Sequence, residues 1–247
     1  MIHGVKVVVV VPAFEEAPRI GRVVRGIPPS VEHILVVDDA SSDGTAAAAR
    51  AAGDADGSPQ VKGRLEVITH RENRGVGAAI VTGYQRAQQL ALGPTDALVV
   101  MAGDGQMDPA DLPALVWPIA QGRADYVKGC RFDWLGARTT IPIGRWLGGR
   151  AFGRLTSWAI GQRIKDSQCG YTALSRAAAS RLDLDGLWPG YGYPNDILGQ
   201  LAARRLSIAE VPVRPIYADE VSRLKLRHLP TIATLIGRAW VRRRTAR

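Results

Sequence analysis

Short runs rich in valine, isoleucine and leucine recur through the first half of the chain: Val5–Val11, His33–Val37, Leu65–Thr69 and Ala97–Met101. They are nearly continuous rather than alternating, the pattern of strands covered on both faces. Between them the apolar spacing turns helical, around Arg19–Gly26, Thr45–Ala52 and Val76–Leu92. Strands alternating with helices predict a doubly wound α/β layer with a mostly parallel sheet. In such sheets ligands bind beyond the carboxyl ends of the strands. The residues after each run are polar or rich in glycine and proline.

The second half has a different rhythm. Asp125–Gly129 and Ala209–Val213 read as further strands, and a long basic helix is predicted over Ile143–Ile160. No repeat is visible. The final stretch sets an apolar face (Leu229, Ile232, Leu235, Ile236, Trp240) against Arg238, Arg242, Arg243, Arg244 and Arg247. It suits a helix on a membrane surface and a solvated terminal helix equally. The expected organisation is therefore one α/β domain over 1–228 and a basic amphipathic tail over 229–247.

Composition narrows this picture. The 247 residues, 46% hydrophobic and 22% charged, can bury a full core, and no linker-like stretch divides them. No apolar run approaches the roughly 20 residues of a membrane-spanning helix, and the N-terminus does not read as a signal peptide. A cytoplasmic location is expected. The two cysteines, Cys130 and Cys169, lack CxxC spacing and are expected as buried thiols. A net charge of +9 favours anionic partners, and without a helix-turn-helix, zinc-finger or RNA-binding aromatic signature nucleic acid is not expected among them.

The strand ends carry the candidate chemistry. Pro12-Ala13-Phe14-Glu15-Glu16 follows the first strand, and by itself it suits a turn into an acid-capped helix as well as a site. Asp38-Asp39-Ala40-Ser41-Ser42-Asp43-Gly44-Thr45 follows the second. Ser41 to Asp43 suit N-caps. The adjacent carboxylates of Asp38 and Asp39 repel, which is tolerable where one accepts hydrogen bonds from a bound base or ribose. After the third strand, His70 to Ala79 include Gly75 and Gly77, where backbone amides could approach a diphosphate, with Arg71 or Arg74 supplying charge. After the fourth, Ala102 to Pro109 contain Asp104 and Gln106. A carboxylate and an amide oxygen at a glycine turn suit Mg²⁺ or Mn²⁺ sharing its shell with phosphate and water, and the same residues suit a plain turn with Asp108-Pro109 opening a helix.

As an ordered set, PAFEE, VVDDASSDGT, ENRGVGAAIVTGY, AGDGQMDP, GCRF, IPIGR, DSQCGYTALS, EVPVR and VSRLKL resemble the family 2 glycosyltransferases of the GT-A fold. The resemblance extends over about residues 5 to 225, and it is strongest to the branch with dolichol-phosphate mannose synthase and the bacterial polyprenyl-phosphate hexose transferases. It implies a single Rossmann-like α/β/α sandwich with a mixed, mostly parallel sheet. It also implies that Pro12, Phe14, Glu16, Val37 and Asp39 hold base and ribose, and that Asp104 and Gln106 meet metal and diphosphate. The chain departs from the family pattern at Glu15, where asparagine is usual, and at Ala102, where the first carboxylate of the Asp-x-Asp metal motif is missing.

Arg131 and Arg145 match family positions that bind the acceptor phosphate, for which guanidinium forks are well suited. Arg138, Arg150 and Arg154 are interleaved with Trp134, Trp146, Leu147, Phe152, Leu155 and Trp158. This stretch suits either an acceptor whose isoprenoid tail stays near lipid or an amphipathic helix packed on the core. Asp166 and Gly170-Tyr171 match a segment near the sugar, and Asn195-Asp196 lies where many relatives carry an acidic pair holding a general base. A phosphate monoester, with a second pKa of about 6, attacks without one; Arg223 matches a cation facing the leaving diphosphate. The expected activity is inverting transfer of a hexose from a donor of the GDP-mannose or UDP-glucose type to a polyprenyl or dolichyl phosphate, at the cytoplasmic membrane and in contact with its anionic surface. The alternatives are a soluble or saccharide acceptor, or a silent nucleotide-binding module.

Overall fold

The computed structural model describes residues 1–54, 61–216 and 229–245. Strands β1 (Val7–Ala13), β2 (His33–Asp38), β3 (Leu65–Thr69), β4 (Ala97–Val100), β5 (Tyr126–Cys130), β6 (Thr172–Ser175) and β7 (Ile208–Pro212) form one sheet in the order β3-β2-β1-β4-β6-β5-β7. β1 pairs in parallel with β2 and β4, β2 with β3, and β5 with β7. β6 runs antiparallel to both β4 and β5. The sheet is therefore mixed and mostly parallel, as expected.

The valine run of β1 serves both faces. Val7, Val9 and Val11 join one core with Ile20, Val24, Ile34 and Leu115, while Val8 and Val10 join another with Leu35, Ile80, Tyr84 and Leu198. Helices α1 (Ala17–Gly26), α2 (Thr45–Asp54) and α4 (Leu112–Ala120) supply the first core. The second core lies under α3 (Val76–Gln88), α8 (Tyr193–Ala203) and the end of α6 (Ile143–Ile160). α3 sits tightly on β1, since a Cβ at Gly83 would fall 2.2 Å from Val10 Cγ1.

β1 starts later than the sequence predicts, because Val5 pairs back to Ile2 in an isolated bridge. It also runs on through Pro12. The Pro12 carbonyl accepts the Gly103 N–H at 3.1 Å, so the missing N–H of proline faces the side where β4 has already ended. β6 and α8 were not predicted, whereas α4 follows the helix start offered at Asp108-Pro109. β6 is only four residues, TALS, with two buried hydroxyl residues that break any apolar run. The short helices α5 (Ala137–Thr140) and α7 (Arg176–Ala179) complete the central portion.

Leu229–Thr245 forms α9, which packs on α8 and α6. Ile232, Leu235, Ile236 and Ala239 are buried in that contact, and the Trp240 ring stacks on Trp158 with centroids 6.0 Å apart. The apolar face of the terminal helix is thus covered by protein from Ile232 to Ala239. Cys130 and Cys169 are buried free thiols, as expected, and burial pushes Cys130 up to about 12.

Candidate active site

The sheet register brings the loops after β1, β2, β3 and β4 to one edge: Ala13 pairs with Asp38, Asp38 with Thr69, and Met101 N–H continues the ladder to the Val10 carbonyl. The first two loops are stitched together by side chains. Glu15 N–H donates to Ser41 Oγ at 2.9 Å, and Ser42 donates from its amide and hydroxyl to Glu15 Oε1 at 2.7 and 3.0 Å. Glu15 stands at φ +55°, held there by these bonds. Asp43 accepts from Ala17 N–H and Thr45 N–H, each at 2.9 Å, and so caps both α1 and α2. Burial opposes ionisation of Asp43, yet the Thr45 hydroxyl and these amides outweigh it and lower its pKa. Glu16 is buried, accepts from Arg19 Nη1 at 2.8 Å, and donates its own N–H to Thr45 Oγ1. Phe14 stands exposed at the rim.

Asp39 organises the third loop. Its Oδ1 receives Arg74 N–H at 2.9 Å and faces His70 Nδ1 at 2.7 Å, while Oδ2 receives Gly75 N–H at 2.7 Å. The far His70 nitrogen meets Thr82 Oγ1 at 2.9 Å. The repulsion between Asp38 and Asp39 is therefore relieved by donors within the protein, where the sequence suggested a bound base or ribose. His70, which the sequence did not single out, is part of this anchor. Val37 also differs from expectation: its side chain is fully buried in the core beneath the loops.

The glycines at 75 and 77 have a different reason from the one expected. Gly77 and Ala78 N–H donate to the Pro189 carbonyl at 2.7 and 3.1 Å. A Cβ at Gly75, where φ is +92°, would fall 2.6 Å from Pro189 O, and one at Gly77 would fall 2.2 Å from Trp188 O. These glycines admit the protein's own loop at the start of α3, so the Gly75, Gly77 and Ala78 amides are not open to a diphosphate.

In the fourth loop, Asp104 Oδ1 accepts Gln106 N–H at 2.9 Å around Gly105, whose φ is +78°. Asp104 and Gln106 are both half-buried. Among the described residues no cluster of three or more His, Cys, Asp or Glu side chains is placed to hold a metal. The donor set here is one carboxylate and one amide oxygen, hard ligands that fit a Mg²⁺ or Mn²⁺ ion completing its shell with phosphate and water. Asp108 accepts from Ala110 N–H and caps the turn that leads into α4, and Tyr171 Oη donates to the Asp108 carbonyl at 2.9 Å.

Across the sheet, Arg131 closes its fork on Asp166, with Nε to Oδ2 at 2.8 Å and Nη2 to Oδ1 at 2.9 Å. The bidentate face expected to grip a phosphate is thus engaged by a carboxylate. Asp166 is fully buried; burial alone would raise its pKa, but Arg131 beside it holds it below the ordinary carboxylate range. Glu210 accepts from the Lys165 and Asp166 amides at 2.8 and 2.9 Å, and its burial pushes its pKa up. Lys128, fully buried on β5, donates to the Cys169 carbonyl, and burial pushes its pKa down. Neither Lys128 nor Glu210 was singled out from the sequence, because their partners lie far along the chain. Arg145 lies in the first turn of α6 and is exposed. Phe132, Trp134, Leu135, Arg138, Trp146 and Arg150 line a cavity of about 420 Å³ beside it in sequence, with Arg150 over the Trp146 ring at 5.6 Å. Arg223 lies outside the described residues.

Asp196 is fully buried on α8. It accepts Arg242 Nη1 at 2.6 Å and Trp188 N–H at 2.9 Å, and Arg238 Nη1 stands 3.6 Å away. Its neighbour Asn195 accepts from Thr156 Oγ1 at 2.9 Å.

Residues 8–182 match the family described as glycosyl transferase family 2. The undecaprenyl-phosphate mannosyltransferase of Micrococcus luteus is 30% identical over 84% of this chain and 82% of its own. The UDP-N-acetylglucosamine–dolichyl-phosphate N-acetylglucosaminyltransferase of Methanococcus voltae is 27% identical over 85% of each. Among solved structures, the glucosyl-3-phosphoglycerate synthase of Mycobacterium tuberculosis with Mn²⁺, UDP and phosphoglyceric acid superposes with a TM-score of 0.66 at 22% identity, covering 97% of this chain and 78% of that one. That likeness shows a shared GT-A-like fold.

Proposed function

We propose, from the premise that the chain belongs to glycosyl transferase family 2, that it moves a hexose from a nucleotide-sugar to a polyprenyl phosphate at a membrane surface. The acceptor class is that of the relatives from Micrococcus luteus and Methanococcus voltae, which it matches over most of both chains. The observation that carries the acceptor assignment is the engagement of Asp196. The acid that the family resemblance offers as a base faces Arg242, Arg238 and the Trp188 amide, out of contact with solvent. A hydroxyl acceptor needs a base. A phosphate monoester with a second pKa of about 6 is already ionised at neutral pH and needs only to be positioned.

In this scheme base and ribose lie along Pro12, Phe14, Glu16 and Asp39, with Gly75 holding the adjoining loop to Asp39. Asp104 and Gln106 face the diphosphate, and the family resemblance assigns Arg223, outside the described residues, to the same group. An acceptor phosphate oxygen attacks the anomeric carbon as the bond to the nucleoside diphosphate breaks, which inverts that carbon. Arg145 and Arg131, the latter held in place by Asp166, orient the phosphate. A Mg²⁺ or Mn²⁺ ion, held by Asp104 and Gln106, would supply positive charge to the departing diphosphate.

The outward stripe of α6 supports peripheral contact with an anionic membrane. Ile143 is 74% exposed, Leu147 63% and Trp158 65%, with Arg150 and Arg154 exposed alongside. Among the described residues no helix is long and apolar enough to cross a membrane.

The test incubates the protein with GDP- and UDP-sugars, Mg²⁺ or Mn²⁺, and either a short polyprenyl phosphate or 3-phosphoglycerate, with products read by mass spectrometry. Glycolipid is the expected product. Transfer to 3-phosphoglycerate alone, or undiminished glycolipid formation in Arg131→Ala and Arg145→Ala, would overturn the acceptor assignment.

A further inference from the structure

We infer that Asp196 is a positioning residue through which the C-terminal helix α9 sets the geometry of the donor-side loops. The inference rests on the donor assignment made above. Asp196 Oδ1 is held by Arg242 at 2.6 Å with Arg238 behind it at 3.6 Å, so two cations of α9 converge on one buried carboxylate. The other oxygen, Oδ2, takes the Trp188 amide at 2.9 Å and fixes the backbone of the next residue, Pro189.

From Pro189 the connection continues by hydrogen bonds alone. Its carbonyl takes the amides of Gly77 and Ala78 in the first turn of α3. At the start of the same turn, Gly75 and Arg74 give their amides to Asp39. The same loop is also supported from beneath by packing: a Cβ at Gly192 would fall 2.6 Å from Leu235 Cδ1 of α9. α9 therefore touches the Trp188–Gly192 loop at an ion pair and at an apolar contact, and that loop closes on the helix start that Asp39 holds.

A carboxylate with an arginine on one oxygen and a backbone amide on the other, with no solvent contact, is not placed to take a proton from an acceptor. It is placed to hold a loop still. Replacing it should act on donor binding before any acceptor is present, and replacing its α9 partner should do the same although Arg242 is remote in sequence from every donor-side loop.

Titration of UDP and GDP into wild type, Asp196→Asn, Arg242→Gln and the double variant tests this, with donor KM and kcat measured in parallel. Each single variant is expected to weaken nucleotide binding and raise donor KM about tenfold, with kcat within about threefold, and the double variant to match the singles. Arg242→Lys should restore most of the affinity. Should Asp196→Asn fail to fold, Arg238→Gln at the half-exposed partner and Gly77→Ala, which displaces the Trp188 carbonyl without touching α9, are expected to raise donor KM in the same sense. A fall in kcat of about a hundredfold or more in Asp196→Asn, with unchanged nucleotide affinity and an inert Arg242→Gln, would assign Asp196 to proton transfer and overturn the inference. Wild-type affinity in every variant would overturn it alone, whereas a wild type that binds neither nucleotide would overturn the donor assignment and this inference together.

Discussion

The edge formed by the loops after β1, β2 and β3 and the half built on β5 and β7 use acidic side chains in opposite ways. After β1, β2 and β3, carboxylates face backbone amides and hydroxyls: Glu15 takes Ser42, Asp43 takes Ala17 and Thr45, and Asp39 takes Arg74 and Gly75. Between β5, the Asp166 segment and β7, the charges face each other, with Arg131 on Asp166, Lys128 buried and Glu210 half-buried beside them. Bonds to amides fix loop shape through short, local geometry, and each contributes modestly. A buried ion cluster depends on every member, because removing one leaves another uncompensated in a medium of low dielectric. The difference predicts where each half breaks.

The largest effect is expected at Asp166. Asp166→Ala leaves Arg131 and Lys128 without their counter-charge and should cost about 3–5 kcal/mol in urea unfolding. The same residue sharpens the contrast by pH. Its folded pKa lies below the ordinary carboxylate value, so its stabilisation is present above that value and is lost as pH falls through the lower, folded one. Glu210 has the opposite sign: its raised pKa means that its buried charge costs stability at higher pH, and the cost is relieved as pH falls. The stability gap between wild type and Asp166→Asn should therefore narrow in acid, below the ordinary carboxylate range. A gap that widened would place the Arg131 contact elsewhere.

Next is Asp39→Ala, which leaves the Arg74 and Gly75 amides and His70 without their acceptor. A loss of about 2 kcal/mol is expected from unsatisfied donors, together with loss of nucleotide binding measured by calorimetry. Asp43→Ala, which removes a shared cap, should cost about 1 kcal/mol. Ser42→Ala deletes only an exposed hydroxyl bond and should change stability by less than about 0.5 kcal/mol. If Asp43→Ala or Ser42→Ala rivalled Asp166→Ala in thermal denaturation, the contrast between the halves would fail.

Much of the first half was legible along the chain. β1, β2 and β4 are buried on both faces, so their valine and isoleucine runs announce themselves, and the cap at Asp43 follows from residue type. β6 was not legible. Thr172 and Ser175 are buried because β4 and β5, both far earlier in the chain, flank them in the sheet, a fact absent from the four residues themselves. The charged residues were legible only as types. The family resemblance offered Arg131 as a phosphate binder, and nothing along the chain named it as the partner of an acid in the segment before β6. Nor did anything near Asp196 announce that α9 would return to cover it.

The sequence by itself determined the α/β layering, the polar strand ends, the family and the single-carboxylate character of the loop around Asp104, because periodicity and residue chemistry are properties of neighbours in the chain. Tertiary structure alone decided which donors meet which acceptors: Gly75 with Asp39, Pro189 with Gly77, Arg131 with Asp166, and Arg242 with Asp196. Hydrogen bonds and ion pairs act over about 3 Å, and only folding brings residues so distant in sequence within that reach.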